Sequence, residues 1–219
     1  MKAVALSLIA IAGIAGIIKV NFLDREPAQE EDQTLLAPLP LSPVKEPVGD
    51  LNAYKASCPL ANSFIYPVGP PDGEGYYNAQ PFGKNNHLGD DWNGLGGGNT
   101  DLGDPIHCVS DGIVFFASDA GPGWGNVIRV YHNIGTKDAP EFVESLYAHV
   151  DNVTHAPGDI VKQGEQLGTI GNVNGRYLAH LHLEMRTTID MPIGGGYSQD
   201  RQGFVDPTKF IQAHRIISR

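Results

Sequence analysis

The 219-residue chain holds only two cysteines, Cys58 and Cys108, and no C-x-x-C pair. A zinc site made of four thiolates is therefore excluded. Two sulfurs so far apart in sequence fit either a disulfide formed after export or a pair of free buried thiols. Basic residues are scarce as well: 15 Lys and Arg stand against 25 Asp and Glu, for a formal net charge of -10. Nucleic-acid binders gather Lys and Arg on one face, and no such cluster is present, so no nucleic-acid partner is expected. None of the glycine-rich stretches runs into Lys-Ser or Lys-Thr, which removes a phosphate loop. Beyond residue 23 there is no long apolar run, and no segment keeps a helical period.

Turn formers are abundant, with 27 glycines and 16 prolines against 41% hydrophobic residues. That balance points to one globular β-rich core, since the length leaves no room for two large domains. Ahead of this core, Ala3 to Ile18 form an unbroken run of small and apolar residues between Lys2 and Lys19. Residues 1–23 read as a signal peptide or a membrane anchor. The best small-residue cleavage site follows Ala15, but Gly16 to Ile18 stay apolar beyond it, which favours an uncleaved anchor attached through residues 3–23. An N-terminal hydrophobic helix of that kind needs roughly 17–25 residues to span a bilayer, and Val20 to Leu23 supply the remainder if Lys19 snorkels. Residues 24–55 are acidic and carry Pro27, Pro38, Pro40, Pro43 and Pro47, with no aromatic residue before Tyr54. Such a stretch cannot bury enough apolar surface to offset its ordering entropy and reads as a disordered linker. The folded part, assigned to residues 56–215, is expected to begin near Ala53 to Cys58. An exported, periplasmic protein that works as a monomer is the expected whole.

Within the body, Gly112 to Ala117, Asn126 to His132, Val143 to Val150 and Gln166 to Ile170 are the clearest strand candidates, and the segment from Ala156 to Gly168 reads as turn, brief strand, turn, strand. An all-β, antiparallel domain follows. Its chemistry sits in three places. In Ala179-His-Leu-His-Leu-Glu-Met-Arg186, strand alternation puts Leu181, Leu183 and Met185 on one face and His180, His182, Glu184 and Arg186 on the other. Two imidazoles about 7 Å apart on an apolar backing suit one metal ligand beside one acid/base group. In His87-Leu-Gly-Asp-Asp91, a histidine and a carboxylate can converge on one cation with Gly89 letting the backbone bend, and Asp90 competes with Asp91 on chemistry alone. In Leu146-Tyr-Ala-His-Val150, alternation sends Tyr147 and His149 to one face.

Together these supply three ligands and two spare bases. A catalytic zinc ion takes three protein ligands and leaves its fourth position to water, whose pKa falls towards about 7 so that histidine can take its proton. His87, one of the two aspartates and His182 fill the first requirement; His149 and His180 fill the second. His107, His132, His155 and His214 lie outside the pattern and are taken as structural or exposed.

At this point the chain resembles the lysostaphin/LytM-type zinc metallopeptidases over roughly Phe82 to Arg186. The shared run is His87-x-Gly-x-Asp91, Gly103-Asp-Pro-Ile106 leading to Asp111-Gly-Ile-Val114, Gly123-Trp-Gly-Asn-Val127, Leu146-Tyr-Ala-His149, Gly158-Asp-x-Val-x-x-Gly164, Gly171, and His180-Leu-His-Leu-Glu184. The resemblance implies a groove floored by an antiparallel sheet. It implies one Zn²⁺ per chain on His87, Asp91 and His182, so choosing Asp91 over Asp90, with His149 and His180 as the catalytic pair. It further implies hydrolysis of stem or bridge peptides in bacterial peptidoglycan. The alternative is an inactive relative that binds peptidoglycan or activates a cell-wall amidase; such relatives lack ligands or catalytic histidines, whereas all five positions are filled here. The chain departs from the family in the longer glycine-rich loop over residues 92–101, expected to be either a lid or an insertion. A second groove wall is expected over Thr187 to Gly203. The Gly158–Gly171 segment faintly resembles a lipoyl- or biotin-carrier hairpin, but Lys162 is not on the tight turn that such a carrier needs.

Overall fold

The computed structural model describes residues 49–216, so the apolar run over 3–23 and most of the expected linker lie outside the described residues. In chain order the elements are α1 (Leu51–Ser57), β1 (Tyr76–Gln80), a short 3-10 turn (Lys84–Asn86), β2 (Asp90–Gly94), β3 (Pro105–His107), β4 (Gly112–Asp119), β5 (Asn126–Asn133), β6 (Phe142–Val153), β7 (Ile160–Val161), β8 (Gln166–Ile170), β9 (Leu181–Arg186), β10 (Phe204–Val205) and α2 (Pro207–Ala213). The ten strands form one sheet whose main path runs β1-β2-β9-β6-β5-β4-β7, with β10 on β9 and β8 joining β3 to β6. Every pairing between named strands is antiparallel. The four strand candidates read from the sequence are all present, Gln166–Ile170 with the expected bounds and the other three longer by one to four residues.

The central strands read as near-continuous apolar runs because both faces of the sheet are covered. Val114, Ile128, Val130, Tyr147, Leu181, Leu183 and Met185 join one buried cluster, while Ile113, Phe115, Val127, Tyr131, Leu146 and Ala148 join a second on the opposite face. On the second face β9 does not present apolar groups at all: His182, Glu184 and Arg186 are buried there. That polar strip floors the site.

Two helices depart from the expectation of a purely β body. Each has seven residues, too short for an apolar period to register. Local chemistry starts them instead. Asp50 caps α1 by accepting from the Asn52 and Ala53 amides, and Asp206 caps α2 by accepting from Lys209, with Pro207 in the first turn. Leu51, Tyr54 and Cys58, on and just after α1, pack against the second cluster, so α1 straddles the place where the folded part was expected to begin. Cys58 and Cys108 are free thiols, the second of the two alternatives, and burial pushes both up to about 12. Among the described residues no helix is long and apolar enough to cross a membrane.

Candidate metal centre

β2, β9 and β6 lie side by side, and their register assembles the site. Asp91 on β2 pairs with His182 on β9, and His182 pairs with Ala148 on β6, one residue before His149. Alternation along β2 separates the two aspartates. Asp91 faces His182, whereas Asp90, fully buried, turns the other way and accepts from the Phe82 amide, the Thr208 amide and the Thr208 hydroxyl. His87 closes the 3-10 turn just before β2 and reaches the same point. Gly89 is required for a reason other than a bend. A Cβ there would sit 2.4 Å from the Leu183 carbonyl oxygen and 2.8 Å from His182 Cε1, so only glycine lets this strand approach β9.

Three ligand-type atoms meet. His182 Nδ1 lies 2.9 Å from His87 Nε2 and 2.9 Å from Asp91 Oδ1, and His87 Nε2 lies 3.3 Å from Asp91 Oδ1. Among the described residues, His87, Asp91 and His182 form a buried group able to hold a metal ion. Ligand atoms about 2.0–2.1 Å from a tetrahedral zinc ion stand about 3.3–3.4 Å from one another, so this triangle is close to one face of such a tetrahedron. The outer ring nitrogens explain which atoms point in. His87 Nδ1 donates to the Gln80 carbonyl at 3.1 Å, and His182 Nε2 donates to Glu184 Oε1 at 3.2 Å. In the neutral rings those bonds leave His87 Nε2 and His182 Nδ1 as lone pairs, which converge with a carboxylate oxygen. Three acceptors without a donor between them call for a cation.

The electrostatics agree. Burial works against the Asp91 carboxylate, but hydrogen bonding with His182 and His87 outweighs it and holds the carboxyl well below its usual range. Burial also disfavours a charged His182, yet hydrogen bonds to Asp91 and Glu184 push its pKa up to about 9. The centre draws in positive charge, and a metal ion arriving there would displace the proton.

His149 and His180 stand beside this group. Their ring centroids are 4.6 Å apart, His149 is 5.9 Å from the His182 ring, and His180 Nε2 is 4.0 Å from Asp91 Oδ1. Each donates through Nδ1 to a carbonyl, His149 to Trp124 at 3.1 Å and His180 to Leu178 at 2.8 Å, which leaves Nε2 of each ring as the free base. Burial, reinforced by His180 and His182, lowers His149 well below its ordinary value, so the ring is neutral at pH 7. The structure thus brings all five site residues read from the sequence into one place.

Tyr147 does not share the face of His149 that alternation along the strand implies. It is buried in the first cluster, where its hydroxyl accepts from the Val109 amide at 2.9 Å. The reason is a break in alternation at His149, whose φ of +61° sits in the left-handed region where β6 passes from pairing with β9 to pairing with β8. His107, His132, His155 and His214 are engaged elsewhere, with Pro67, with Asp111 and Ser145, with Glu165, and with Phe210.

Several site neighbours escaped the sequence. Trp124 faces His182 edge-on at 5.4 Å and donates from Nε1 to the Gly194 carbonyl. Tyr197 lies 5.0 Å from the His87 ring, and Tyr177 lies 5.1 Å from His149. Only Trp124 carried a signal, its place between Gly123 and Gly125. The segment expected as a second wall does border the centre, since Leu88 donates to the Gly196 carbonyl and His87 bridges to Tyr197. The glycine-rich loop is tied down near His180: Asn99 accepts from the Ala179 amide, and buried Asp101 accepts from Gly94.

The chain is similar to several known proteins. The model of peptidase family M23 matches residues 92–196, which include His149, His180 and His182 and begin one residue after Asp91. The lipoprotein NlpD of Yersinia enterocolitica is 32% identical over 84 residues, 38% of this chain and 78% of that protein. The cell division protein DipM of Caulobacter vibrioides is 37% identical over 84 residues, again 38% of this chain but 13% of that protein, so the chain spans only a small part of DipM's length. The solved catalytic domain of lysostaphin from Staphylococcus simulans is 23% identical, with 74% of this chain and 94% of that chain covered at a TM-score of 0.44. The chain belongs to peptidase family M23.

Proposed function

We propose that this protein is a zinc-dependent endopeptidase that hydrolyses peptide cross-links in bacterial peptidoglycan. The observation that carries the reading is the convergence of three lone pairs, from His87, Asp91 and His182, at spacings close to those a tetrahedral zinc ion demands. These three side chains would hold one Zn²⁺ per chain, which when bound would acidify a water molecule and polarise a peptide carbonyl. The chain's own groups do the rest. His149 and His180 hold their Nδ1 protons on backbone carbonyls, so each Nε2 is free to take a proton from water and return it to the leaving amine. The peptide lies in the groove between the Tyr177 and Tyr197 sides, where the half-exposed rings offer uncharged contact surface. All five groups come from one chain, so a monomer suffices.

Membership of a peptidase family supports a peptide substrate. Export to the periplasm, with attachment through residues 3–23, is supported by the apolar run at the N-terminus and by likeness to a protein named a lipoprotein. A second reading is favoured by the names of the two curated relatives, a cell division protein and a lipoprotein, neither of which names an enzyme. On that reading the groove binds peptidoglycan or activates an amidase without cutting. Zinc content of the purified chain, followed by mass spectrometry of fragments released from purified peptidoglycan, separates the two. Zinc at one per chain with released peptides supports the enzyme; a metal-free domain that still binds cell wall supports the binder.

A further inference from the structure

Behind the centre lies a fully buried ionic chain that the reaction does not consume. His182 Nε2 donates to Glu184 Oε1, and the other oxygen, Glu184 Oε2, accepts from Arg186 Nε at 2.8 Å and from its terminal nitrogen at 2.6 Å. The same guanidinium donates onward to the carbonyls of Pro192 at 3.1 Å and Ile193 at 2.8 Å, on the wall that leads to Tyr197. Glu184 and Arg186 show no exposed surface. A parallel pair, Arg129 with Glu144 at 2.7 Å, sits beside them and donates to the Met191 carbonyl.

Burying this much charge is costly unless each group is fully paired, and double pairing of a carboxylate by a guanidinium is the arrangement that achieves it. The pairing also has a direction. Arg186 occupies Oε2 from two nitrogens, which leaves Oε1 with His182 Nε2–H as its partner. A proton fixed on Nε2 makes Nδ1 the free lone pair, and Nδ1 is the atom that meets His87 and Asp91.

We propose that Glu184 is the positioning residue that presents His182 Nδ1 to the metal, and that Arg186 clamps Glu184 and ties its orientation to the groove wall at residues 192–193. The inference rests on the zinc reading above. A neutral amide at 184 would invert the preference. Its single oxygen would go to Arg186, its NH₂ would face His182 Nε2, and the ring proton would move to Nδ1, into the ligand position.

The test uses the full chain loaded with zinc, with affinity measured by competition against a chromophoric chelator. Glu184→Gln is expected to weaken zinc binding about 10–100-fold. Arg186→Lys, which cannot make the forked pair and both carbonyl bonds, should weaken it by a smaller factor. Glu144→Gln leaves the His182–Glu184 bond in place but removes a charge that lies 3.6 Å from Arg186 Nη1. It should therefore lower the melting temperature and weaken zinc binding by less than Glu184→Gln does; a loss as large as that of Glu184→Gln would overturn the assignment of the positioning role to Glu184. In ¹⁵N spectra of the zinc-loaded wild type, His182 should show a slowly exchanging proton on Nε2. That spectrum needs no variant and stands even if Glu184→Gln fails to fold. Unchanged affinity in Glu184→Gln, or a wild-type His182 bearing its proton on Nδ1, overturns the proposal, and unchanged affinity in Arg186→Lys overturns the clamp. A wild-type chain that binds no zinc would instead overturn the zinc reading on which it rests.

Discussion

Asp91 Oδ1 lies 2.9 Å from His182 Nδ1, although 91 residues separate them, because the two are cross-strand partners on β2 and β9. Antiparallel register holds such a pair of side chains close without help from loops. His87 is then brought to the pair by the turn that leads into β2. The sheet thus places two of the three ligands of the centre, which is how a site keeps its geometry before a metal arrives.

The first prediction separates ligand from base. His182→Ala should remove both zinc retention and hydrolysis. His149→Ala should keep zinc at one per chain and lose about 10²–10⁴-fold in turnover, the usual worth of positioned acid–base help. Zinc content and single-turnover hydrolysis of peptidoglycan fragments measure the two effects. Full activity in His149→Ala would remove that residue from the mechanism.

A second prediction contrasts the adjacent aspartates. Asp91→Ala should release zinc with little effect on folding. Asp90→Ala should retain zinc but lose about 1–3 kcal/mol of stability, because the Phe82 and Thr208 donors lose a buried acceptor. Denaturant unfolding and zinc content, taken together, decide it. Loss of zinc in both variants would mean that the alternation along β2 does not hold.

These contrasts also show what the sequence could reveal. Leu181, Leu183 and Met185 against His182, Glu184 and Arg186 is a period-2 pattern, and both faces proved to be as the pattern implied. The same rule failed at Tyr147 because the irregularity at His149 adds a residue without a partner, and no local residue type announces it. α2 was legible in principle, since Asp206-Pro207 is a helix start signal, but with seven residues it offered no periodic stretch to confirm it. Tyr177 and Tyr197 reach the centre from irregular segments, where spacing carries no facing information. Gly89 was noted for flexibility, whereas the structure assigns it to close approach.

That close approach gives a third prediction. Gly89→Ala would place a methyl group 2.4 Å from the Leu183 carbonyl, a backbone atom that cannot swing away. The strand must shift, at about 1–3 kcal/mol as for other overpacked sites. Because the second contact is the His182 ring at 2.8 Å, zinc affinity should fall along with the melting temperature. A variant with unchanged zinc affinity and melting temperature would show that β2 and β9 do not meet this tightly.

The last prediction concerns acid stability and a histidine outside the centre. His132 is fully buried, with Nδ1 donating to the Asp111 carbonyl at 2.9 Å and Nε2 2.7 Å from the Ser145 hydroxyl, which in turn contacts Tyr147. Burial outweighs the nearby Asp111 and lowers its pKa to about 4 from an ordinary 6.5. Here the folded value is the depressed one, so between those two values the unfolded chain binds the proton and the folded chain does not. Stability must therefore fall as the pH drops from about 6.5 to about 4, by up to about 1.4 kcal/mol per pH unit and about 3 kcal/mol in total from this residue. Above pH 7 its contribution is level. His132→Gln carries no titrating group, so its unfolding free energy should be lower than wild type at pH 7 but should decline less steeply in acid. Chemical unfolding of both proteins at half-unit steps from pH 7.5 to 4 checks the slopes. Equal slopes would mean that His132 takes up its proton over the same pH range in the folded chain as in the unfolded one, so that burial does not depress it.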